Sequence, residues 1–171
     1  SIGLMGCLSF HQSKNLSMGE GGALLLNDGG LLARAEMIRD KGTDRARFRR
    51  GEVDAYCWQS LGSSYLVSEL NAACLLPQLQ RAGEITAARR EIWHLYQRAF
   101  APLAALGCIE TPRPADNARH NAHIYYIKTR DAAERGRLIR HLAARGVMVA
   151  SHYQPLHSAP AGRVYGRLAG E

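Results

Sequence analysis

Two short apolar runs lie near the start of the chain, Gly6 to Phe10 and Ala23 to Leu26. Runs of this length read as buried strands, and the polar, glycine-rich stretch Ser13 to Gly22 between them reads as a loop. The apolar spacing then changes to three and four, the period of a helix face. Asn27 or Asp28 caps a helix carrying Leu31, Ala35 and Ile38 on one side, with Lys41 in its last turn and Gly42 at its stop. Residues 43–64 show no clear period and read as a long loop. Ser68 and Glu69 open a helix that buries Leu70, Ala73 and Cys74, and Pro77 is expected to kink or end it.

A longer amphipathic helix is expected from Glu84 towards Phe100, with Ile85, Ala88, Ile92, Leu95 and Ala99 on its buried face and Gly107 beyond its end. The stretch Thr111 to Asn121, with Pro112 and Pro114, is a loop, and His123 to Lys128 reads as a strand. Asp131 and Glu134 have the spacing of a capping box, so a helix with Leu138, Ile139 and Leu142 should follow, stopped by Gly146. Val147 to Ala150 reads as a last strand. A domain boundary is expected near Gly83.

The length of 171 residues suits one domain or the abutting parts of two. The chain begins without Met in an apolar segment and ends at Gly170-Glu171 with no closing element, which suggests a fragment cut at both ends. No apolar run approaches membrane-spanning length. Cys7, Cys57, Cys74 and Cys108 form no Cys-x-x-Cys pair, so neither a zinc ribbon nor a redox dithiol is indicated; free thiols in a reducing cytoplasm are the simplest reading.

The net charge of +7 comes mostly from dispersed arginines. Lys41, Arg45, Arg47, Arg49 and Arg50 are the one local concentration. They read either as a solvated loop or as an attractor of a phosphorylated ligand. Phe48 is their only interleaved aromatic, which argues against nucleic acid. His120, His123, His152 and His157 match no zinc spacing, so no metal is expected.

Of 22 basic residues only three are lysines, Lys14, Lys41 and Lys128. Arginine stays protonated, whereas a lysine amine can lose its proton and attack a carbonyl. Lys14 stands in Ser9-Phe10-His11-Gln12-Ser13-Lys14-Asn15, just before Gly19-Glu20-Gly21-Gly22, a loop setting that suits a Schiff-base lysine. For an isolated lysine the ordinary reading is a solvated side chain.

These two segments closely resemble the signature of the DegT/StrS sugar-nucleotide aminotransferases, pyridoxal-phosphate enzymes of fold type I. The resemblance continues through Arg39-Asp40-Lys41-Gly42-Thr43, Gly62-Ser63-Ser64-Tyr65-Leu66, Glu69-Leu70-Asn71-Ala72-Ala73, Asn121-Ala122-His123 and His152-Tyr153-Gln154-Pro155-Leu156-His157. It is collinear over nearly the whole chain. It implies an α/β fold: residues 1–82 as the C-terminal part of the PLP-binding large domain with part of its sheet, and 83–171 as most of the small C-terminal α/β domain.

The resemblance also implies roles. Lys14 matches the lysine that holds pyridoxal 5'-phosphate and moves protons. Ser9 matches the serine whose hydroxyl binds the cofactor phosphate; read by itself, a strand-end serine bonds to backbone. His11 and Asn15 match the cofactor loop. Glu20, His152, Tyr153 and His157 are candidate substrate contacts. Where Leu66 stands, many members carry an Asn that reaches the neighbouring subunit's cofactor phosphate, so Ser63, Ser64 or Tyr65 is left to take that place.

The implied reaction is transamination of a dTDP-4-keto-6-deoxyhexose with L-glutamate as donor and 2-oxoglutarate as by-product, in a cytoplasmic homodimer or higher oligomer. Two alternatives stand beside it. In related sugar dehydratases His replaces the lysine, which Lys14 argues against. The chain is otherwise a non-catalytic piece of such an enzyme, because the family's pyridine-nitrogen Asp and ring-stacking aromatic fall upstream of residue 1.

Overall fold

A computed structural model describes residues 2–167; Ser1 and residues 168–171, including the open end read from Gly170-Glu171, lie outside the described residues. Strand β1 (Met5–Ser9) pairs antiparallel with β2 (Gly22–Leu26), Met5 opposite Leu26 and Ser9 opposite Gly22. The ladder extends into the connecting loop. Phe10 N–H donates to Gly21 O at 2.9 Å, and Met18 N–H donates to Phe10 O at 2.9 Å. Both strands are apolar on both faces, yet Leu8 and Leu24 are each 48% exposed. The expectation of buried strands is corrected on this point: two strands are all the sheet the described residues form.

Asp28 caps the chain after β2 by accepting from Gly30 N–H, first into a 3-10 turn (Gly29–Leu31) and then into α1 (Leu32–Arg39). Lys41 is not in the last turn of α1. It follows the cap residue Asp40, sits at φ 61°, and its N–H donates to Ser63 O. The expected loop 43–64 contains one short helix, α2 (Arg45–Arg49). At five residues it is too short to show a period. Buried Asp44 organises this segment: its carboxylate accepts from Cys57 N–H at 2.8 Å and Gln59 Nε2 at 2.9 Å. Gly42, at φ 76°, has no room for a side chain, since a Cβ there would lie 1.7 Å from Ser60 O.

Ser68 caps α3 (Glu69–Gln80) by accepting from Asn71 N–H, as expected of an N-cap serine. Pro77 does not end the helix; three helical residues follow it, and its missing N–H forfeits the single bond to the Ala73 carbonyl. The buried face is also rotated from expectation. Leu70 is 79% exposed and Leu75 6%, with Asn71, Ala72 and Gln78 half-buried beside Leu75. So many apolar residues crowd this helix that spacing alone does not choose a face.

Helix α4 (Ala82–Ala105) outruns the expected Glu84–Phe100. Its covered face carries Thr86, Arg89, Trp93, Gln97 and Phe100, while Ile92 and Leu95 are exposed. Helix α5 (Ala132–Ala143) starts as predicted, with Asp131 accepting from Glu134 N–H at 2.7 Å. The Glu134 carboxylate closes the cap on Arg130 N–H instead of Asp131. The strands expected at His123–Lys128 and Val147–Ala150 do not form. A single antiparallel bridge, Glu110 to Lys128, stands in the first segment. A 3-10 turn (Leu156–Ser158) and α6 (Pro160–Tyr165) follow.

The chain groups into two compact units, residues 1–96 with 114–125, and 97–113 with 126–171. The first contains the hairpin, α1 to α3 and the start of α4. Its apolar centre is Phe10, Met18 and Leu75, with Leu16 and Ala23 packed beside them.

The hydrogen bond from Cys57 N–H holds the Asp44 carboxyl below its usual range, aided by Gln59 and Arg47. A lowered folded-state value means stabilisation that is complete above the ordinary carboxylate range, about pH 4, and fades as pH falls through the lowered value. Protection against hydrogen exchange across residues 43–60, taken relative to the intrinsic rate at each pH, is therefore expected to fall below that pH. Asp44→Asn should exchange faster at neutral pH and lose most of the acid dependence.

Candidate active site

Lys14 sits at the outer tip of the loop between β1 and β2. The loop is narrow at its base, where Phe10 and Gly21 pair, and Gln12 N–H donates to Gly19 O at 2.7 Å. Gly21, at φ 152°, would carry a Cβ 2.5 Å from Met18 Sδ, so a glycine lets buried Met18 fold beneath the loop. At the tip Lys14 N–H donates to His11 O at 2.9 Å. The Lys14 side chain is exposed.

Around it the loop gathers polar groups. His11 Nδ1 lies 2.8 Å from Ser13 Oγ and accepts from Ser13 N–H at 3.1 Å. Nδ1 therefore serves as an acceptor, which puts the proton of the neutral ring on Nε2, 3.4 Å from Glu20 Oε1. Ser9 Oγ, at the end of β1, accepts from His11 N–H at 3.4 Å, a long contact that matches the backbone-bonding reading. The structure thus brings Ser9, His11, Lys14, Asn15 and Glu20 onto one loop.

Two groups of residues remote in sequence tie this loop down. On one side α3 supplies Gln78, which accepts from Ser17 N–H at 3.0 Å and donates to Ser17 O at 2.7 Å, and Asn71, which donates to Glu20 O at 3.3 Å. On the other side Asn15 Nδ2 donates to Asn121 O at 2.7 Å, and Asn15 Oδ1 lies 2.9 Å from His123 Nδ1. Sequence reasoning gave Asn71, Gln78, Asn121 and His123 no role. Asn71, Asn121 and His123 lay inside family-like segments, and that was the only signal; their partners are 51 to 108 residues away, beyond any spacing rule.

Ser64 lies elsewhere in the first unit. It bridges Asp40 at the end of α1, and among the described residues no hydrogen bond joins it to residues 9–20. His152, Tyr153 and His157 belong to the second unit, where the His152 and Tyr153 rings stack at 4.3 Å and His157 lies in the 3-10 turn.

Much of the basic concentration is neutralised internally. Arg50 donates to Glu36 at 2.8 Å and to Glu52 at 2.6 Å, and Arg47 donates to Glu52. The bond from Arg50 holds Glu52 below the usual carboxylate range. Arg45 lies over the Tyr56 ring at 5.5 Å. Among the described residues no three metal-ligating side chains converge, and no helix is long and apolar enough to cross a membrane.

The family model described as the DegT/DnrJ/EryC1/StrS aminotransferase family matches residues 1–169. Among curated relatives, GDP-perosamine synthase of Caulobacter vibrioides is 28% identical over 162 residues, covering 94% of this chain and 41% of the relative. Spore coat polysaccharide biosynthesis protein SpsC of Bacillus subtilis is 30% identical over 167 residues, covering 94% and 42%. Among solved structures, the aminotransferase TlmJ from Streptoalloteichus hindustanus superposes with a TM-score of 0.78 at 27% identity, over 97% of this chain and 42% of that one. The chain therefore spans about two fifths of the length of the relatives it matches.

Gln78 makes paired bonds to one backbone unit, so its loss leaves a half-buried N–H and C=O at Ser17 without those partners. Gln78→Ala is expected to destabilise the first unit by about 1–3 kcal/mol. Denaturant unfolding gives the magnitude, and hydrogen exchange should locate the loss at residues 16–19.

Proposed function

The chain belongs to the DegT/DnrJ/EryC1/StrS aminotransferase family, and from that premise we propose that the whole protein transfers an amino group to a nucleotide-linked keto sugar, with Lys14 as the cofactor lysine. Aminotransferases of this family depend on pyridoxal 5'-phosphate. The observation that carries the reading is the loop itself: a lone exposed lysine at the tip of a hairpin pinned from two sides, with a serine hydroxyl at the strand end and an imidazole beside it.

This donor set fits the cofactor. An aldehyde needs an amine, and Lys14 presents one to solvent. A phosphate needs a hydroxyl, and the Ser9 Oγ carries only one long contact from backbone. In this reading Lys14 Nζ holds the cofactor, Ser9 binds its phosphate, and His11 and Asn15 order the loop. Ser64 would act on the cofactor phosphate of a second copy, in a homodimer or larger assembly. Glu20, His152, Tyr153 and His157 would contact the sugar nucleotide.

When bound, pyridoxal phosphate supplies an electron sink that acidifies the carbon bearing the transferred amine. The remaining work falls to the chain. Lys14 must be neutral to add to a carbonyl, and the same amine then takes and returns a proton at the substrate carbon. His11, its ring braced between Ser13 and Glu20, supplies the backbone carbonyl that receives the Lys14 N–H. That fixes where the lysine leaves the loop.

At finer grain, the substrate in this reading is a dTDP-4-keto-6-deoxyhexose and the donor L-glutamate, the activity of a dTDP-4-amino-4,6-dideoxygalactose transaminase. The setting would be cytoplasmic synthesis of cell-surface polysaccharide, and the similarity to the spore coat polysaccharide biosynthesis protein SpsC supports the polysaccharide link. Residues 1–82 are assigned to the large domain and 83–171 to the small one. Since the chain spans about two fifths of its relatives, the 171-residue piece by itself is read as inactive.

Titration of the full-length protein with pyridoxal phosphate, borohydride reduction and peptide mapping should place a phosphopyridoxyl group on Lys14. Lys14→Arg should abolish the adduct and lower turnover by roughly 10²–10⁴-fold. An adduct on another lysine, or none, refutes the assignment.

A further inference from the structure

We propose that Asn15 and His123 form a clamp that positions Lys14, with the His123 ring acting through its Nδ1–H. The proposal rests on the assignment of Lys14 above and adds to it a pair of residues 108 positions apart.

Hydrogen-bond chemistry fixes the orientation of both side chains. Asn121 O is a carbonyl and only accepts, so the atom 2.7 Å from it is the Asn15 amide nitrogen. That leaves Asn15 Oδ1, which also only accepts, facing His123 Nδ1 at 2.9 Å. Nδ1 must therefore carry the proton. It does so in one neutral tautomer and in the imidazolium, so the contact survives titration of the ring.

The receiving segment is itself held in place. Arg89 donates to Ala122 O at 3.2 Å and His123 O at 2.7 Å, and its neighbour Arg90 donates to His120 O at 3.1 Å. Three carbonyls within four residues are thus bound by two adjacent guanidinium groups of α4. Ala122 is buried and sits at φ 51°, a conformation that residues with a Cβ rarely adopt, and it is retained amid these bonds. The His120 ring packs on buried Trp93 with centroids 4.5 Å apart, and His120 Nδ1 accepts from Ala122 N–H. Asn121 Oδ1 accepts from His123 N–H. A turn anchored this heavily is a fixed point, and Asn15 couples the residue next to Lys14 to it.

Asn15 is a positioning residue in this account. It carries no chemistry; it limits where Lys14 can point. The substituent that matters at position 123 is a donor at Nδ1. Asn places an N–H near that position, whereas Gln places its amide near Nε2 and leaves Asn15 Oδ1 without its donor.

The test uses the full-length protein freed of cofactor. Two quantities are read: the rate of borohydride-trapped pyridoxal phosphate attachment at Lys14, and amide exchange at residues 13–18. Asn15→Ala and His123→Ala are each expected to slow attachment by roughly ten- to a hundredfold and to accelerate exchange. The double variant should be no worse than Asn15→Ala, which already loses both contacts. Asn15→Asp should also fail, since a carboxylate cannot donate to Asn121 O. His123→Asn should restore wild-type behaviour and His123→Gln should not. Unchanged attachment and exchange in both alanine variants, additive losses, or rescue by Gln instead of Asn would overturn the clamp. If wild-type Lys14 takes no cofactor, the functional assignment fails, and the exchange pattern still decides the clamp.

Discussion

Phe10 is the residue on which the first unit depends. Its amide and carbonyl carry the hairpin pairing into the loop, to Gly21 and from Met18, and its ring is buried with Met18 and Leu75. Burial of one such side chain stabilises by roughly 1.5–3 kcal/mol, whereas an exposed pair such as His11–Glu20 contributes about 0–1 kcal/mol. The apolar anchor therefore sets the base of the loop, and the His11–Glu20 contact only refines its tip. Because Phe10 closes the loop from inside and Leu16 packs back beside it, only residues 12–14 of the stretch 11–17 are left exposed, and Lys14 is presented to solvent instead of being drawn into the core.

A loop closed only at its base would still sway at its tip. The structure limits this with polar side chains that grip backbone. Gln78 and Asn71 hold the returning half through Ser17 and Glu20, and Asn121 and His123 hold Asn15. Hydrogen bonds suit this task because they fix direction as well as distance, and each contributes only about 0.5–1.5 kcal/mol net. Apolar packing of comparable strength would hold the loop in place without fixing the heading of Lys14.

The same division of labour shapes the segment after α1. Asp44 and Gly42 are both specified by backbone geometry: one gathers Cys57 and Gln59, the other admits Ser60 O where a Cβ would stand. Two of the arginines around them, Arg47 and Arg50, are spent on Glu36 and Glu52. A cluster that looks from composition like an anion attractor is thus, in good part, the internal bracing of the loop.

Local chemistry made the hairpin, the caps at Asp28, Ser68 and Asp131, and the Lys14 loop legible from the sequence, because each is decided within a few residues. The phase of α3 and the covered face of α4 were not, since crowded apolar positions offer several equivalent faces and the choice falls to whatever packs against them. The strands read at 123–128 and 147–150 failed for a related reason: a strand exists only when a partner supplies its hydrogen bonds, and the described residues supply one bridge. The sequence by itself determined that Lys14 would stand on a glycine-rich loop between two strands. Only the tertiary structure decided that Asn15, Asn121, His123 and Gln78 would hold that loop, because hydrogen bonds between residues 61 to 108 positions apart leave no periodic trace in the chain.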